Sequence, residues 1–528
     1  MKEYGSLEKV IVLATSDLHG HILPMTYGAN ESADIGLAKI AAKIRKIQSE
    51  EGNILLIDNG DMIQGTPLTY HYVKYLKYKP NPLIKVLNHL QYDAGIIGNH
   101  EFNYGMSILN QVVSQSNFPW LSANIVHHST KETYFGIPYI TKTFKNGIKA
   151  AVLGLTTHFT PNWENPVHIQ NLYFEDACLT AKRWVPYIHE TEQPDLMIVA
   201  YHGGFERDIS TGKATEKETG ENQAYQICQE VDGIDILLTG HQHRKLEGEV
   251  NGVAVLQPGS KGECLGKVTI EMQKVDSGWK ILKKVPELLM ADDASDKEVV
   301  NLVHFYEKKT QTWLDEPIGE IEGDMQIHDP FEVRKAEHPV VELINRVQME
   351  ASSTLISSTA LFHNGSPGFK QKVTMRDIIS NYIYPNTLVV LQLLGSDIKA
   401  ALERSASYFI VDADGKIAVN PRFAIPKPQH YNYDMWEGIE YVINVAKPLG
   451  SRIERLLFNG EPLSMMMEYE VVMNNYRAGG GGGYEMFKGK EVIKEVQKDM
   501  TELLADYFYR HPVVKAGVNH NWKVVNRP

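Results

Sequence analysis

The stretch SDLHGH, Ser16 to His21, follows the apolar segment Lys9 to Ala14, which is typical of a buried β-strand. It sets Asp17 and His19 one residue apart at the point where that strand ends. In α/β proteins, ligands bind at the carboxyl ends of the strands. The pattern therefore predicts an α/β fold with a functional site at this edge of the sheet.

Four further apolar runs end on polar residues of the same types. NILLIDNGD ends at Asp61, AGIIGNHE at Asn99 and DLMIVAYHG at His202, while IDILLTGHQH carries His241 and His243. Since parallel strands end at one edge, we expect these side chains to form a single site. Carboxylate, amide and imidazole ligands without a thiolate favour Mn, Zn, Fe, Mg or Co. Their number favours two divalent metal ions over one.

Composition excludes several classes of protein. The formal net charge of −12 over 528 residues disfavours a nucleic-acid polymer as partner, although a small phosphate ester can still bind beside metal ions. No apolar run reaches the roughly 20 residues of a membrane span. The three cysteines form no CxxC pattern and are predicted to be buried thiols. The oligomeric state stays open.

The first apolar run also bears on localisation. It has neither a basic leader nor a small-residue cleavage site, so we expect a cytoplasmic protein. The alternative is an exported protein whose leader is absent from this chain.

The order of predicted elements divides the chain into three parts. Helix-period segments alternate with strands in the first half, which indicates βαβ units, and the strand-rich region 118–155 predicts a second sheet behind the first. We place a catalytic domain at residues 1–294. The segment Ser295 to Glu298 fits a capping box, so a linker helix and connector are predicted for 295–330. Residues 331–528 are predicted to form a second α/β domain.

Two segments stand out by their composition, one polar and one rich in glycine. ERDISTGKATEKETGENQ, Glu206 to Gln223, is typical of an exposed loop. The glycine run 479–483 is either a flexible turn or a backbone that lets a ligand approach between Tyr476 and Tyr484. The neighbouring NNYR segment favours the second interpretation.

The motifs SDLHGH, GDMIQGTP, GNHEFNYG, YHGG and GHQH, in this order and spacing, resemble the dinuclear metallophosphoesterases of the 5′-nucleotidase family. In the second half, YNYDMWEG and NNYRAGGGGGY resemble that family's carboxyl-terminal substrate-binding domain. The resemblance covers nearly the whole chain. It implies a four-layer α/β/β/α metallophosphoesterase domain, a linker helix and a carboxyl-terminal α/β nucleotide-binding domain.

Within the family, GNHEFNYG is more similar to the 2′,3′-cyclic-nucleotide 2′-phosphodiesterase/3′-nucleotidase branch. This chain has Asn103 where 5′-nucleotidases usually carry Asp, and HNGSPGFK, ending at Lys370, replaces their Asn-Gly-Gly-Gly-x-Arg phosphate-contact segment. The resemblance implies hydrolysis of 2′,3′-cyclic nucleotides to 3′-nucleotides and then to nucleoside and phosphate. The alternatives are a 5′-nucleotidase or nucleotide-sugar hydrolase, a thiohydrolase, and a non-catalytic nucleotide-binding protein.

The resemblance also implies a role for each strand-end residue. One metal ion would be held by Asp17, His19, Asp61 and His243. The other would be held by Asp61, Asn99, His202 and His241, with Asp61 as the bridge. Two such ions roughly 3.5–4 Å apart can activate a water and clamp the phosphoryl oxygens for in-line attack.

Further residues are expected to act on a small nucleotide substrate. His100 follows Asn99, so we expect it to face the same cleft and donate to the phosphoryl or leaving oxygen, oriented by Asn103. For substrate binding, the resemblance implies that Tyr476 and one of two other tyrosines sandwich the nucleobase. Tyr433 is preferred over Tyr431 for that position, and Asn364 is the candidate near the phosphate.

Overall fold

The computed structural model describes residues 7–527, apart from residues 29, 163, 217, 277, 385, 426 and 497. The chain divides into two compact units, residues 1–310 and 311–528. Both units mix helices and sheets, as the sequence predicted. Among the helices of this described part, none combines the length and hydropathy that a bilayer-spanning segment requires.

Unit 1 contains two six-stranded sheets. The first has four parallel strands, and an antiparallel hairpin of two strands extends it at one edge. In spatial order its strands are Gly278–Met290, Cys264–Val275, Leu7–Thr15, Ile54–Asp58, Ala94–Ile96 and Trp120–Leu121. The second has four parallel strands flanked by an antiparallel strand at each edge; its order is Lys245–Val250, Val253–Pro258, Ile236–Leu238, Leu196–His202, Lys149–Thr156 and Tyr139–Thr143.

The two sheets pack face to face over a shared apolar core. Alternate residues of both sheets, such as Val10, Val12, Ile198 and Ala200, are fully buried in this core. Period-two burial on a strand means that the other set of side chains faces outward, where helices cover it. On the second sheet that cover is formed by helices Ala177–Glu192 and Ala224–Glu230.

The first sheet carries helices on its own outer side. They lie in the connections between its parallel strands, and their apolar faces are buried; they are Leu37–Glu50, Pro82–Leu90 and Met106–Gln115. Helix Leu37–Glu50 contacts strand Cys264–Val275. Helix, sheet, sheet and helix thus follow one another, which agrees with the four-layer prediction.

The described part of unit 2 has three sheets of three or more strands and two two-stranded sheets. The central mixed sheet has the order Asp434–Glu437, Ile356–Ala360, Glu468–Asn474, Leu388–Leu394 and Val492–Val496. A second has the order Glu461–Pro462, Ile453–Phe458, Glu440–Asn444 and Trp522–Val525, and a third has the order Lys372–Thr374, Pro317–Glu322 and Val513–Lys515. The helices packed around them include Pro339–Ser352, Met375–Asn381, Gly395–Ala406 and Met500–Arg510. This confirms an α/β second domain.

A helix of 18 residues, Lys297–Leu314, lies where a linker helix was expected. The Asp296 carboxylate accepts hydrogen bonds from the backbone N–H groups of Glu298 and Val299, so Asp296 is its N-terminal cap, and not Ser295 as the capping-box pattern predicted. The boundary between the compact units falls within this helix. The finer domain limits of 294, 295–330 and 331 stay predictions. The three cysteines are buried and unpaired, as expected.

Candidate functional site

The first two loops of the site are held together by their backbones. The strand register places Thr15 opposite Asp58, so the two parallel strands end level. Beyond them, the His19 N–H donates to the Asp61 carbonyl at 2.9 Å. Two polar loops that the sequence separates by more than 40 residues are thereby joined side by side.

The strand ends bring six side chains into two compact groups. In each group, one nitrogen or oxygen atom of every residue lies within 4.8 Å of the others; the groups are Asp17, His19 and His243, and Asp61, His202 and His241. All six were named from the sequence, but the expectation that they share one sheet edge is wrong. Asp17, His19 and Asp61 follow strands of the first sheet, whereas the other three histidines lie at the ends of strands of the second sheet. Within the described residues these groups have the composition and closeness of metal sites.

In the first group, two imidazole nitrogens face each other beside a carboxylate. His19 Nε2 lies 3.1 Å from His243 Nε2, and His243 Nε2 lies 3.4 Å from Asp17 Oδ1. The Nδ1 atom of His19 is 3.0 Å from the Gln64 carbonyl, so Nδ1 carries a proton and donates it. A neutral His19 therefore directs the lone pair of its Nε2 atom into the group.

The second group has the same character and includes Asn99. His202 Nδ1 donates to the Asn59 carbonyl at 2.7 Å, which leaves Nε2 facing Asp61 Oδ2 at 3.1 Å. Asn99 Oδ1 lies 3.2 Å from this Nε2 and 2.9 Å from His241 Nδ1. The amide oxygen thus joins the two imidazoles and the carboxylate as a fourth potential ligand.

Asp61 faces both groups at once. Its Oδ2 atom lies 3.9 Å from His19 Nε2 as well as 3.1 Å from His202 Nε2. This oxygen is buried and accepts no hydrogen bond in the described structure. Imidazole and carboxylate donors that crowd around a buried oxygen need a positive charge among them, supplied by a proton or by a cation. The donor set therefore fits divalent cations, with Asp61 placed where a bridging ligand belongs.

Ionisation in the centre follows the same need for positive charge. Burial opposes the ionisation of Asp17, but the hydrogen bond and charge of His243 outweigh it and lower the pKa of Asp17 to about 2. Burial alone would lower the pKa of His202, yet the charge of Asp61 raises it to about 10. A proton thus supplies positive charge when no cation is bound, and a cation would displace it.

The backbone at the site is strained. Five of the seven candidate ligands have left-handed conformations with φ between 46° and 67°, although none is glycine; they are Asp17, His19, Asp61, His241 and His243. Non-glycine residues adopt this region at an energetic cost, and such residues cluster at functional sites. The tight turns aim successive side chains at one point.

Glu101 stabilises one of these turns and was not singled out from the sequence. Its carboxylate is fully buried and accepts hydrogen bonds from the backbone N–H groups of Asp61 at 2.9 Å, Met62 at 2.7 Å and Gly98 at 2.7 Å. Burial, followed by the charge of Asp61, raises the pKa of Glu101 to about 7. Its position within GNHE was the available signal, because a buried glutamate needs such partners.

The polar segment Glu206 to Gln223 corrects an expectation. It is not simply an exposed loop, since Glu206, Asn222 and Gln223 are buried. The segment also places Glu221 Oε1 2.9 Å from His241 Nε2. A carboxylate on the far nitrogen of a potential ligand fixes its ring orientation and tautomer. Nothing in the composition of the segment signals this contact.

His100 lies beside the centre, as its position after Asn99 suggested. Its backbone N–H donates to Asp61 Oδ1 at 2.7 Å, and its ring centroid is 5.2 Å from that of His19. The ring is oriented by Asn103, whose Oδ1 lies 2.6 Å from His100 Nδ1. The structure therefore brings together the two residues expected to act in catalysis and the candidate metal ligands.

In unit 2, the expectation that Tyr433 stacks on a nucleobase is wrong for this structure. Tyr433 is 0% exposed, its ring stacks on Tyr408 at 4.9 Å, and Phe409 lies edge-on at 5.1 Å. Its hydroxyl donates to the Arg334 carbonyl at 2.9 Å. A ring packed on its faces within the core has no surface to offer a ligand.

Tyr431 and Tyr476 are the half-buried pair instead. Their ring centroids are 6.5 Å apart, with an angle of 67° between the planes. The rings are therefore close neighbours, but they do not form a parallel slot in this conformation. Asn364 is exposed and accepts a hydrogen bond from Arg334 at 2.9 Å.

The glycine run has a structural role. A side chain at Gly482 would collide with Asn432 and Arg477, and one at Gly481 with the ring of Tyr476. Arg477 also donates to the Gly481 carbonyl. The run therefore wraps closely around Arg477, and Tyr484 behind it is fully buried. The predicted approach of a ligand between Tyr476 and Tyr484 is not available in this conformation.

Comparisons with known proteins agree with this two-part organisation. Residues 11–245 match the calcineurin-like phosphoesterase family, and residues 317–489 match the 5′-nucleotidase C-terminal domain family. The first match spans the strand ends that carry the candidate ligands. The second spans Tyr431, Tyr476 and the glycine run. The calcineurin-like domain implies divalent metal ions.

Similarity over most of this chain extends to proteins of known name and structure. A Staphylococcus aureus structure assigned as a 5′-nucleotidase is 35% identical, with a TM-score of 0.90 over 98% of this chain and 100% of its own. The Bacillus subtilis trifunctional nucleotide phosphoesterase YfkN is 29% identical over 97% of this chain, which spans 38% of YfkN. The 2′,3′-cyclic-nucleotide 2′-phosphodiesterase/3′-nucleotidase of Salmonella typhimurium is 28% identical, over 89% of this chain and 81% of its own.

Proposed function

This chain belongs to the 5′-nucleotidase family of metallophosphoesterases, and we propose that it hydrolyses 2′,3′-cyclic nucleotides to 3′-nucleotides and then to nucleoside and phosphate. The observation that carries the proposal is the convergence of imidazole nitrogens from both groups on the buried Asp61 oxygen. The names of the Salmonella relative and of YfkN support a cyclic and multifunctional specificity. The motif GNHEFNYG, with Asn103, supports the same branch.

We assign the metal ligands as the sequence suggested. Asp17, His19 and His243 would hold one divalent ion with Asp61, and Asn99, His202 and His241 would hold the other with Asp61 as the shared ligand. Mn, Zn, Mg, Co or Fe would suit these nitrogen and oxygen donors. When bound, two such ions activate water and polarise the phosphoryl oxygens for in-line attack.

The chain's own residues position the reacting groups. Asp61 Oδ1 accepts the backbone N–H of His100 and so anchors this histidine next to the centre. From there, His100 can donate to the phosphoryl or leaving oxygen as negative charge develops. In the first step, water attacks phosphorus and the bond to the 2′ oxygen breaks, giving the 3′-monophosphate. A second water breaks the bond to the 3′ oxygen and releases phosphate.

For the nucleoside we propose Tyr431 and Tyr476, the half-buried pair of unit 2, in place of Tyr433. Stacking of a base on an aromatic ring contributes about 1–3 kcal/mol and tolerates every base, because each has a π-face. Broad base specificity is the consequence.

A 5′-nucleotidase is the second candidate, because the Staphylococcus aureus relative carries that assignment at 35% identity. The HNGSPGFK segment, with Asn364 exposed and bonded to Arg334, weighs against it, since it departs from the phosphate-contact segment of 5′-nucleotidases. A substrate panel separates the two functions.

The test is a turnover panel with purified full-length protein and Mn²⁺, using 2′,3′-cAMP, 2′,3′-cUMP, 3′-AMP, 5′-AMP and bis(p-nitrophenyl) phosphate. We expect turnover of both cyclic nucleotides and of 3′-AMP, with 3′-AMP accumulating transiently from 2′,3′-cAMP. Chelation should abolish turnover, and added Mn²⁺ should restore it. Turnover of 5′-AMP without the cyclic esters would establish the second candidate, and binding without turnover would exclude both hydrolases.

A further inference from the structure

Behind His100 lies a chain of three side chains that ends in a buried glutamate. His100 Nδ1 is 2.6 Å from Asn103 Oδ1, and Asn103 Nδ2 donates to Glu164 Oε2 at 2.7 Å. Glu164 is only 7% exposed and lies 61 residues further along the chain. The backbone N–H of Glu164 donates to the Thr160 carbonyl at 3.1 Å, which fixes the turn that carries it.

The second oxygen of this glutamate is engaged by fixed donors. Glu164 Oε1 accepts the backbone N–H of Asn165 at 2.8 Å and lies 2.9 Å from His168 Nδ1. A backbone N–H cannot become an acceptor. Glu164 Oε1 is therefore an acceptor. In the carboxylate form both oxygens are acceptors only, so Oε2 accepts from Asn103 Nδ2.

This arrangement decides which way the Asn103 amide points. An asparagine by itself can present either its oxygen or its NH₂ group, and the choice follows from the surrounding network. Glu164 takes the NH₂ group, so the oxygen faces His100. His100 must then carry a proton on Nδ1, so Nε2 is the nitrogen left for the substrate, and it donates there only when both ring nitrogens are protonated.

We propose that Glu164 is a positioning residue that acts through Asn103 to set the tautomer and orientation of His100. The inference rests on the proposed hydrolase function for its consequence in turnover, although the tautomer itself is a property of the chain alone. A carboxylate at position 103 would do this directly. Here the carboxylate of Glu164 contacts Asn103 and not His100. The orientation that it gives the Asn103 amide determines which nitrogen of His100 is protonated.

Exchanging the amide and the carboxylate tests the donor-to-acceptor order of the hydrogen bonds that link His100, Asn103 and Glu164. In Glu164→Gln, the Asn165 N–H holds the glutamine oxygen, so the glutamine NH₂ faces Asn103 and turns that amide around. In Asn103→Asp, two carboxylates meet at the position of a 2.7 Å hydrogen bond. In the double variant, Asn103→Asp with Glu164→Gln, the glutamine NH₂ donates to one oxygen of the new carboxylate at position 103, and the other oxygen again accepts from His100.

We therefore expect kcat for 2′,3′-cAMP to fall about 10–100-fold in each single variant, the range for a lost partner of a site residue, and to recover in the double variant. Turnover of bis(p-nitrophenyl) phosphate should fall less, because its leaving group departs without a proton. The matched control is Glu206→Gln, a buried glutamate that accepts backbone N–H groups of Tyr225 and Gln226, away from His100. It should leave the ratio of the two rates unchanged.

The readout independent of activity is the pair of ring-nitrogen chemical shifts of His100 in ¹⁵N-histidine-labelled, Mg²⁺-loaded protein, assigned with His100→Gln. The wild type and the double variant should show the proton on Nδ1, and Glu164→Gln should show it on Nε2. Thermal unfolding checks that each variant is folded.

The inference is overturned if Glu164→Gln leaves the rates and the shifts unchanged, or if the double variant is as impaired as the single ones. A wild-type protein that turns over no ester would instead contradict the proposed function. The ring-nitrogen shifts of His100 would still decide the role of Glu164.

Discussion

Two buried charge clusters, one in each unit, satisfy their charges in opposite ways. In unit 2, Asp434 receives two hydrogen bonds from Arg477, at 2.8 and 2.9 Å, and both residues are at most 2% exposed. In unit 1, Asp61 faces imidazole nitrogens and keeps a buried oxygen without a hydrogen bond. The first cluster is complete within the chain, whereas the second is complete only with added positive charge.

The two clusters also differ in the residues that adopt positive φ angles. Around Arg477, the positive φ angles belong to glycines, 88° at Gly480 and 72° at Gly482, where no side chain is needed. At the metal-type centre they belong to residues such as Asp61, with φ of 56°. Strain at a non-glycine residue persists where the surrounding structure enforces it, so its presence here marks a position whose side chain is required.

The largest expected effect comes from removing the shared carboxylate of unit 1. Asp61→Asn should lower kcat/KM by at least about 1,000-fold on every ester, the scale seen when a catalytic group is removed, and should reduce the bound metal measured by elemental analysis. Asp34→Asn is the control, because Asp34 is largely exposed and pairs with Lys39 on the surface. Full activity and full metal content in Asp61→Asn would contradict the bridging assignment.

Removing the charge of Asp434 from the buried Asp434–Arg477 pair of unit 2 should lower the stability of the protein. Asp434→Asn leaves the buried Arg477 without its counter-charge, so we expect about 3 kcal/mol of lost unfolding free energy, measured by urea denaturation. The exposed Asp414 in the same unit supplies the control variant Asp414→Asn. Bound metal per chain should stay unchanged in Asp434→Asn; a loss of metal would mean that the two clusters are not independent.

The smallest effect is expected at the proposed base-binding pair. Tyr476→Ala should raise KM for 2′,3′-cAMP and 2′,3′-cUMP about tenfold, or about 1.4 kcal/mol, because a stacking face is lost. Tyr476→Phe keeps the ring and should keep KM. Steady-state kinetics on both nucleotides measure this difference. Equal KM values for Tyr476→Ala and the wild type would remove Tyr476 from the binding site.

The candidate metal ligands could be named from the sequence because each follows an apolar run. A strand that ends on Asp, Asn or His places that residue at the sheet edge whatever the rest of the fold does. This local pattern is sufficient to predict that Asp17 and Asn99 converge, because their strands lie in the first sheet. His241 follows a strand of the second sheet, so its approach to them depends on how the two sheets stack. The two stacked sheets followed from the same strand periodicity, confirmed by the shared core between them.

Residues that support the site were missed for the opposite reason. Glu101, Glu164 and Glu221 are glutamates, and a glutamate in a sequence is most often an exposed, solvated side chain. Each acts here through one contact that depends on how distant loops fold back: Glu101 on the Asp61 turn, Glu164 on Asn103 and Glu221 on His241. The hydrophobic periodicity of the sequence does not predict such a contact.

By itself, the sequence determined the two-part α/β architecture and the chemistry of the centre, because strand periodicity and the side chains at strand ends are local properties of the chain. Only the tertiary structure decided between Tyr431 and Tyr433, which are separated by a single residue, since burial of one ring against Tyr408 depends on packing. It also decided the direction of the Asn103 amide, because that choice belongs to Glu164, a neighbour in space and not in sequence.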